Sequence, residues 1–212
     1  MTLLIGISGS SRKGGNTSTL IEIALKSAQE VGAETELIEL SGMDLRPCKH
    51  QGKCYELGEC EQDDDLNIIV KRMMHADGII FGSPVHFGSV TAAMKNFMDR
   101  AGRFAHLEGK VGCSIVVANR SGADITESQM IFFMLVKEMI IPGGSYWPTG
   151  TALNVGDIRS DLDAIDMAKQ MGRRVAQLAD ILHKVPVSWH YEPLPEELVR
   201  FGERWREDDR SR

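Results

Sequence analysis

One stretch near the N-terminus constrains the fold more tightly than any other part of the chain. Residues 2–8 are almost all apolar, β-branched or small, which predicts a buried parallel strand. A polar loop rich in Gly, Ser, Asn and Thr follows over 9–18, and apolar residues then recur with helical spacing over 20–31. Thr19 and Glu22 have the spacing of a capping box, which predicts that the helix starts there. A strand, a glycine loop and a helix N-terminus in this order form an anion site, because free N–H groups and the positive end of the helix dipole point into the loop.

The residues of this loop narrow the kind of anion. The loop lacks the G-x-G-x-x-G pattern of dinucleotide-binding folds. Gly9 and Gly14 have the spacing of a nucleoside-triphosphate loop, but Gly15 and Asn16 replace its Lys and its Ser or Thr. Hydroxyls, amides and a nearby cation remain, and this set suits the single phosphate of a mononucleotide. An ordinary strand-to-helix turn rich in small residues explains the same segment, and that interpretation stays open.

Size and charge exclude several classes of protein. The chain has 212 residues, of which 42% are hydrophobic, enough for one well-buried domain. Its net charge of −6 gives no electrostatic footprint for nucleic acid. We find no secretion signal and no apolar run of membrane-spanning length. We therefore expect a cytoplasmic protein that binds neither nucleic acid nor membranes, and whose cysteines are reduced, metal-bound or redox-active.

Five predicted strands alternate with helices along the chain. The strands are expected over 2–8, 34–40, 78–82, 111–118 and from Ile140 onward. The helices are expected near 20–31, 64–75, 90–101, 125–139 and 161–184. This alternation predicts a parallel sheet with helices on both faces. Ligands of such sheets bind beyond the carboxyl ends of the strands, where we expect the polar loops 9–16, 83–89 and 119–124 to converge.

Two segments fall outside this alternation. Residues 41–63 form a long insertion with three cysteines, and an insertion of this length in a compact domain is usually functional or disordered. We interpret the acidic run 59–65 as a helix cap and a solvated face rather than a metal site. The tail from Pro186 carries prolines and a charged helix predicted over 196–208. That helix either packs on its own domain or clasps a second subunit.

The chain resembles the NADPH-dependent FMN reductase and iron–sulfur flavoprotein branch of the flavodoxin-like superfamily. The matching residues are 6–12, 15–17, 77–88, 95–100 and 156–157. The resemblance implies an α/β fold of the flavodoxin type, with a doubly wound five-stranded parallel sheet of order 2-1-3-4-5 and helices on both faces. It also implies an FMN-binding domain over 1–184, which carries the cysteine insertion 41–63. The C-terminal extension 185–212 lies outside the resemblance.

The resemblance further implies which residues hold the flavin. The positions that match the FMN phosphate site are Ser10, Ser11, Arg12, Asn16, Thr17 and Ser18. The positions that match the loop around the isoalloxazine ring and ribityl chain are Pro84, Val85, His86, Phe87 and Gly88. The positions that match the third flavin loop are Asn119, Arg120, Ser121 and Gly122. His86 stands where the family commonly has Tyr, and a loop histidine turned to solvent explains it equally well.

The cysteine insertion departs from the family pattern. Iron–sulfur members have a compact C-x2-C-x2-C run and a fourth cysteine, and the corresponding residues here are Cys48, Gln51, Cys54 and Cys60. Glutamine therefore replaces the second ligand. Three cysteines and a substitute such as His50 could still bind an iron–sulfur cluster or zinc. A structural loop with free thiols explains the same residues, and both interpretations stay open.

The resemblance implies an FMN-dependent oxidoreductase that uses NAD(P)H as co-substrate. A reduced nicotinamide would pass hydride to flavin N5, and a small acceptor such as flavin or quinone would then be reduced from the same face. Because the flavin supplies this chemistry, we assign no catalytic acid or base. The second hypothesis is an electron carrier with FMN and a cluster at Cys48, Cys54 and Cys60, and the third is a binding module without activity. Family analogy also predicts a homodimer or homotetramer.

Overall fold

The computed structural model describes residues 1–184, so the C-terminal extension and the helix predicted over 196–208 lie outside the described residues. The strands in the described part are β1 (Leu3–Ser8), β2 (Glu34–Glu39), β3 (Gly78–Pro84), β4 (Val111–Ala118) and β5 (Thr149–Thr151). The helices are α1 (Asn16–Gln29), α2 (Cys54–Leu57), α3 (Leu66–His75), α4 (Ala92–Ala101), α5 (Ala123–Val136) and α6 (Leu162–Lys184). A single 3-10 turn, Asp157–Ser160, precedes α6.

The strands form one parallel sheet in the order β2-β1-β3-β4-β5, which confirms the predicted fold class. The chain changes direction across the sheet between β1 and β3, and ligands bind at such switch points. Ser8 of β1 pairs with Gly82 of β3, and Ser83 pairs with Val116 of β4. The three central strands therefore end at the same edge, and the loops that follow them are brought together.

Both faces of the sheet are buried. Ile69 of α3, Phe97 of α4 and Met130 of α5 belong to the apolar cluster on one face. Ile21 of α1 and Val175 of α6 belong to the cluster on the other. Burial on both sides explains why the central strands β1, β3 and β4 are mostly apolar or small, whereas the edge strand β2 carries interleaved polar residues. Within residues 1–184, no helix has both the length and the apolar character needed to cross a lipid bilayer.

Helix α1 begins earlier than the capping-box spacing predicts. Its first residue is Asn16, and Thr19 is a buried residue inside the helix whose N–H binds the carbonyl of Gly15. The N-cap residue is Gly15, which offers no side chain to the first turn. The prediction of a Thr19 cap is therefore wrong, and the helix end facing the glycine loop keeps its N–H groups available.

The last strand also differs from the prediction. Ile140 makes a single parallel bridge with Val111, and the chain then leaves the sheet until β5. Pro142 lacks the N–H that a ladder requires, and Gly143 and Gly144 follow it. These residues end the pairing after one bridge, so the regular edge strand is displaced to Thr149–Thr151.

One carboxyl group is buried beneath α5. Glu127 is 1% exposed, and its Oε1 accepts a hydrogen bond from the Ser114 hydroxyl on β4 at 2.8 Å. Its Oε2 has no hydrogen-bond partner among the described residues. Burial raises the pKa of Glu127 to about 7, the Ser114 bond opposes this, and the charge of Asp124 adds to it.

A glycine sets the distance between α1 and α6. A Cβ atom at Gly172 would lie 2.0 Å from the carbonyl oxygen of Ala24, so no larger residue fits without moving a helix. We expect Gly172→Ala to lower the free energy of unfolding by about 1–3 kcal/mol, as overpacking does, although alanine is the better helix former. Urea denaturation measures the difference. Gln177→Ala at an exposed position of α6 is the control, and a G172A variant as stable as the wild type would contradict the close packing.

The buried carboxyl predicts a specific pH dependence of stability. The folded protein keeps the proton of Glu127 between the ordinary glutamate pKa and about 7, so the free energy of unfolding falls as pH rises through this window. We expect Glu127→Gln to match the wild type near about pH 4 and to exceed it by up to about 3 kcal/mol above about pH 8. Denaturation curves at several pH values measure this. The exposed Glu22→Gln is the control, and a pH-independent difference for E127Q would rule out the buried carboxyl.

Candidate functional site

A cleft of about 220 Å³ opens at the carboxyl edge of the sheet. Its lining residues are Ser10, Ser11, Arg12, Asn16, Thr17, Pro84, Val85, His86, Val117, Asn119, Ala152 and Leu153. The three loops expected to converge all contribute, since they follow β1, β3 and β4. Ala152 and Leu153 come from a fourth loop, after β5, which the sequence reasoning did not assign to the site.

The first loop is held from several sides. The N–H of Gly9 donates to the Gly82 carbonyl at 2.7 Å, and the Thr91 hydroxyl donates to the Gly9 carbonyl at 2.6 Å. The Ser10 hydroxyl accepts the Arg12 N–H and donates to the Arg12 carbonyl, both at 3.1 Å. A Cβ at Gly9 would lie 2.7 Å from the Cβ of Met94, so glycine lets α4 approach the loop. These contacts preorganise the backbone of the loop before any ligand arrives.

Several donors of this loop remain free. The hydroxyls of Ser11 and Thr17 have no hydrogen-bond partner within residues 1–184. The uncapped first turn of α1 adds backbone N–H groups and the positive end of the helix dipole. Arg12 adds one exposed cation, whose guanidinium also donates to the Leu153 carbonyl at 3.3 Å. These donors are of the kind that suits a single phosphate group, and the mononucleotide site stays a prediction.

Two of the predicted phosphate ligands hold the structure together. The buried Ser18 hydroxyl donates to Glu39 Oε1 at 2.6 Å, and the same oxygen accepts the Gly14 N–H at 2.8 Å. The Asn16 amide donates to the Asn154 carbonyl at 2.7 Å and accepts the Gly156 N–H at 2.8 Å. Asn16 lines the cleft, whereas Ser18 lies behind the loop.

The second loop ends in a tight turn fastened to α5. His86 and Ser89 exchange backbone hydrogen bonds of 2.9 and 3.1 Å, and Phe87 and Gly88 between them have φ angles of 51° and 73°. Phe87 is fully exposed, and a non-glycine residue at positive φ is held there at a cost. The Gln129 side chain of α5 accepts the Ser89 hydroxyl at 2.9 Å and donates to the Gly88 carbonyl at 3.3 Å. His86 is exposed and lines the cleft.

The third loop contributes Asn119 to the cleft. Gly122 lies against the second loop, where an added Cβ would stand 3.1 Å from the Cα of Gly88. The predicted flavin residues that do not line the cleft are Ser18, Phe87, Gly88, Arg120, Ser121 and Gly122. Their contacts with a flavin therefore stay predictions.

The fourth loop is fastened by an aspartate. The Asp157 carboxylate accepts the N–H groups of Leu153 at 3.2 Å and Asn154 at 2.7 Å. Gly156 and Asp157 were quoted for the resemblance, and they are the sequence signal that could have pointed to this loop. Nothing in its own apolar composition indicated a place in the site.

A larger groove of about 890 Å³ lies beside β5 and α6. Its lining includes the aromatic side chains of Tyr146 and Trp147, the carboxylates of Asp124, Asp163 and Asp166, and the guanidinium of Arg174. The three carboxylates outnumber the single cation, so this groove suits an anion less well than the first loop does.

The three cysteines of the insertion lie around one small pocket beside α4. Cys48, Cys54 and Cys60 line it together with Gln51 and His50, and all three are free thiols. Among residues 1–184, however, no three His, Cys, Asp or Glu side chains are arranged to hold a metal ion. The segment offers three cysteines, one short of the four-cysteine set that usually holds an iron–sulfur cluster, because Gln51 stands at the remaining position. The fourth cysteine, Cys113, is buried in β4, and burial raises the pKa of its thiol.

The acidic run before α3 is only partly solvated, which corrects the prediction. Asp64 is fully buried and pairs with Arg100 of α4. Burial alone would raise the pKa of Asp64, but hydrogen bonds from Arg100 and from the N–H groups of Arg46 and Leu66 outweigh it and hold that pKa below its usual value. The neighbouring Asp63 is exposed, as predicted.

Comparison with known proteins places the chain in a family. Residues 2–154 match the family described as NADPH-dependent FMN reductase. An iron–sulfur flavoprotein of Methanocaldococcus jannaschii is 40% identical over 191 residues, which cover 85% of this chain and 99% of the relative. An NAD(P)H dehydrogenase (quinone) of Archaeoglobus fulgidus is 30% identical over 194 residues, which cover 79% and 93%.

A solved archaeal flavodoxin has the same fold. It superposes with a TM-score of 0.59 at 14% identity, over 84% of this chain and 99% of the flavodoxin. At this level of sequence identity the match shows a shared fold and nothing about function. It agrees with the observed order of the strands. The family match over most of the chain, together with the flavoprotein relatives, leads to one conclusion: the chain belongs to the NADPH-dependent FMN reductase family, whose members are flavin-dependent oxidoreductases.

Proposed function

We propose that the chain binds FMN in the cleft at the carboxyl edge of the sheet and oxidises NAD(P)H for the reduction of a small acceptor such as flavin or quinone. The observation that carries this proposal is the first loop, where free hydroxyls, an uncapped helix end and one cation meet beside an open cleft. The redox chemistry, in which a hydride equivalent is taken from the nicotinamide and passed on, is supplied by bound FMN.

The residues of the first loop would hold the phosphate. Ser11 and Thr17 donate their free hydroxyls, and Arg12 supplies the cation. Neutral donors on a preformed loop bind an anion without a large cost of reorganisation. Ser10 keeps the loop closed through its own bonds with Arg12, and Ser18 supports it from behind through Glu39.

The other loops would hold the ring system. Pro84, Val85 and His86 form one wall of the cleft, and Asn119 and Val117 extend it toward β4. Ala152 and Leu153 close the phosphate side. The walls are largely uncharged, which suits a planar ring that must stay open to a nicotinamide on one face.

The electron-carrier hypothesis has weaker support. A relative at 40% identity is named an iron–sulfur flavoprotein, and Cys48, Cys54 and Cys60 share one pocket in this chain. Against it stands Gln51 at the second ligand position, which leaves three cysteines in the insertion for a cluster that usually has four. Iron analysis and the visible spectrum of anaerobically purified protein separate the two: flavin bands without iron favour the reductase.

A hydroxyl deletion tests the phosphate site. We expect Thr17→Val to raise the Kd for FMN by about tenfold or more, since a hydrogen bond to a charged group is worth about 1.5–3 kcal/mol. Quenching of flavin fluorescence on titration with the apoprotein measures the Kd. Thr19→Val is the matched control, because Thr19 lies on the same helix but does not line the cleft. Equal affinities for T17V and the wild type would reject this phosphate site.

We also propose that the chain forms a homo-oligomer through the outer face of α5. That face exposes large apolar side chains at helical spacing: Ile125, Phe132, Leu135 and Val136. A helix that is apolar on every side is normally covered on every side. A second copy of the same helix offers the same uncharged surface, as an isologous twofold interface requires.

A charge on this face tests the interface. We expect Phe132→Glu to convert the oligomer to monomer, because an unpaired carboxylate at a buried contact costs several kcal/mol. Light scattering after size exclusion measures the mass. Ile68→Glu is the matched control, since Ile68 is an equally exposed apolar residue on α3, and we expect its mass to stay that of the wild type. An F132E variant that keeps the wild-type mass would place the interface elsewhere.

A further inference from the structure

One face of α4 holds the cysteine segment, which we define as residues 41–65. Asn96 and Arg100 are four residues apart and lie on the same side of α4, and Arg103 follows in the turn just after the helix ends at Ala101. The Asn96 amide donates to the Leu45 carbonyl at 3.2 Å. The guanidinium of Arg103 lies over the Tyr55 ring, 5.7 Å from its centroid. The helix α4 and the turn after it therefore contact the segment at Leu45 and at Tyr55.

Arg100 lies between Asn96 and Arg103 and makes four hydrogen bonds to the segment. It is 2% exposed, and its terminal nitrogens each bind two groups. One nitrogen donates to Asp64 and, at 2.9 Å, to the Arg46 carbonyl. The other donates to Asp64 Oδ1 and to the Cys60 sulfur, both at 3.0 Å. Four bonds from one side chain thus fix two separate parts of the segment.

A buried ion pair is an uncommon way to hold a loop. Removing both charges from water costs more than many such pairs return, and apolar side chains of the same volume often stabilise a fold equally well. An apolar pair, however, could not bind a carbonyl and a sulfur at the same time. The planar fork of Arg100 can, because the carbonyl and the sulfur are bound by two separate nitrogens, whereas a lysine carries all of its donors on one nitrogen.

We propose that Arg100, paired with Asp64, holds the cysteine segment against α4 and positions the Cys60 thiol at the pocket it shares with Cys48 and Cys54. The hydrogen bonds of Arg100 reach Arg46, Cys60 and Asp64 of the segment. Protein side chains therefore make the contacts that fasten the segment to α4. The proposal rests on neither FMN nor an iron–sulfur cluster, so it stands apart from the proposed function.

The thiols themselves report on this arrangement. Alkylation of the full-length protein by iodoacetamide, followed by mass spectrometry, gives a rate for each cysteine. In the wild type we expect slow alkylation of Cys60, and the same rate after treatment with EDTA. Cys113 is buried in β4 and serves as an internal control for unfolding of the domain.

Arg100→Lys is the decisive variant. The lysine keeps a positive charge for Asp64 but lacks the second nitrogen, which in Arg100 donates to the Cys60 sulfur. Asp64 offsets the positive charge of either residue, so we expect the alkylation rate to change mainly because the segment is released. We expect Cys60 to be alkylated about tenfold faster, which is the factor for one lost hydrogen bond to a charged group. Cys113 stays protected. Lys95→Arg at an exposed position of α4 is the control and leaves the Cys60 rate within about twofold, because Lys95 does not line the cysteine pocket.

Three outcomes would overturn the proposal. An unchanged Cys60 rate in R100K would show that Arg100 does not position the thiol. A parallel rise for Cys113 would show a general loss of stability. An equal rise in the wild type on adding EDTA would show that a bound metal holds the segment. If R100K does not fold, Asp64→Asn replaces it: loss of the ion pair should speed Cys60 selectively, and an unchanged rate there overturns the proposal as well.

Discussion

The parallel pairing of β1 with β3 is the constraint on which the rest of the molecule depends. Ser8 faces Gly82 in register, and the N–H of Gly9 extends the ladder one bond into the loop. The right-handed crossovers required of parallel strands then send α1 to one face and α4 to the other. The candidate site is the gap that this divergence leaves at the edge of the sheet.

Side chains from distant parts of the chain turn this gap into a shaped cleft. Thr91 at the start of α4 binds the carbonyl of Gly9, and Glu39 at the end of β2 binds the N–H of Gly14. Asn16 reaches the loop after β5, which Asp157 also fastens. Buried backbone polar groups must find partners, so the loops that close the cleft are held in the same way as regular elements. Such loops can bind a ligand without first having to be ordered.

Two carboxyl groups are buried on the same side of the sheet, and their pKa values are shifted in opposite directions because their partners differ. Asp64 is matched by Arg100, which satisfies both of its oxygens and keeps its pKa low. Glu127 has a single hydroxyl partner, and its pKa rises to about 7. The first arrangement fixes a loop to a helix. The second leaves a group that holds a proton near neutral pH beneath α5, the helix that fastens the turn at Phe87.

The sequence by itself determined the strands β1 to β4, the alternation with helices and the convergence of three polar loops. The run 111–118 is apolar or small, with Ser114 its one polar side chain, because both faces of the sheet are covered. Burial of this kind can be recognised in the sequence of each central strand separately. The strand order came from the family resemblance, which rests on the motifs of the loops. What local composition records, such as burial and turn chemistry, could be inferred in this way.

The tertiary structure alone decided what depends on partners remote in sequence. Asp64 sits between two other aspartates and looks solvated until Arg100 is brought against it. Ala152 and Leu153 have no feature of a binding loop, yet the pairing of β4 with β5 carries them to the cleft. Thr19 has the spacing of a cap, but α1 extends back to Asn16, whose side chain is held by the loop after β5. Arg100 and Asp64 are 36 residues apart in the sequence. A contact between two such distant segments produces no periodic pattern in either of them, so only the folded chain shows it.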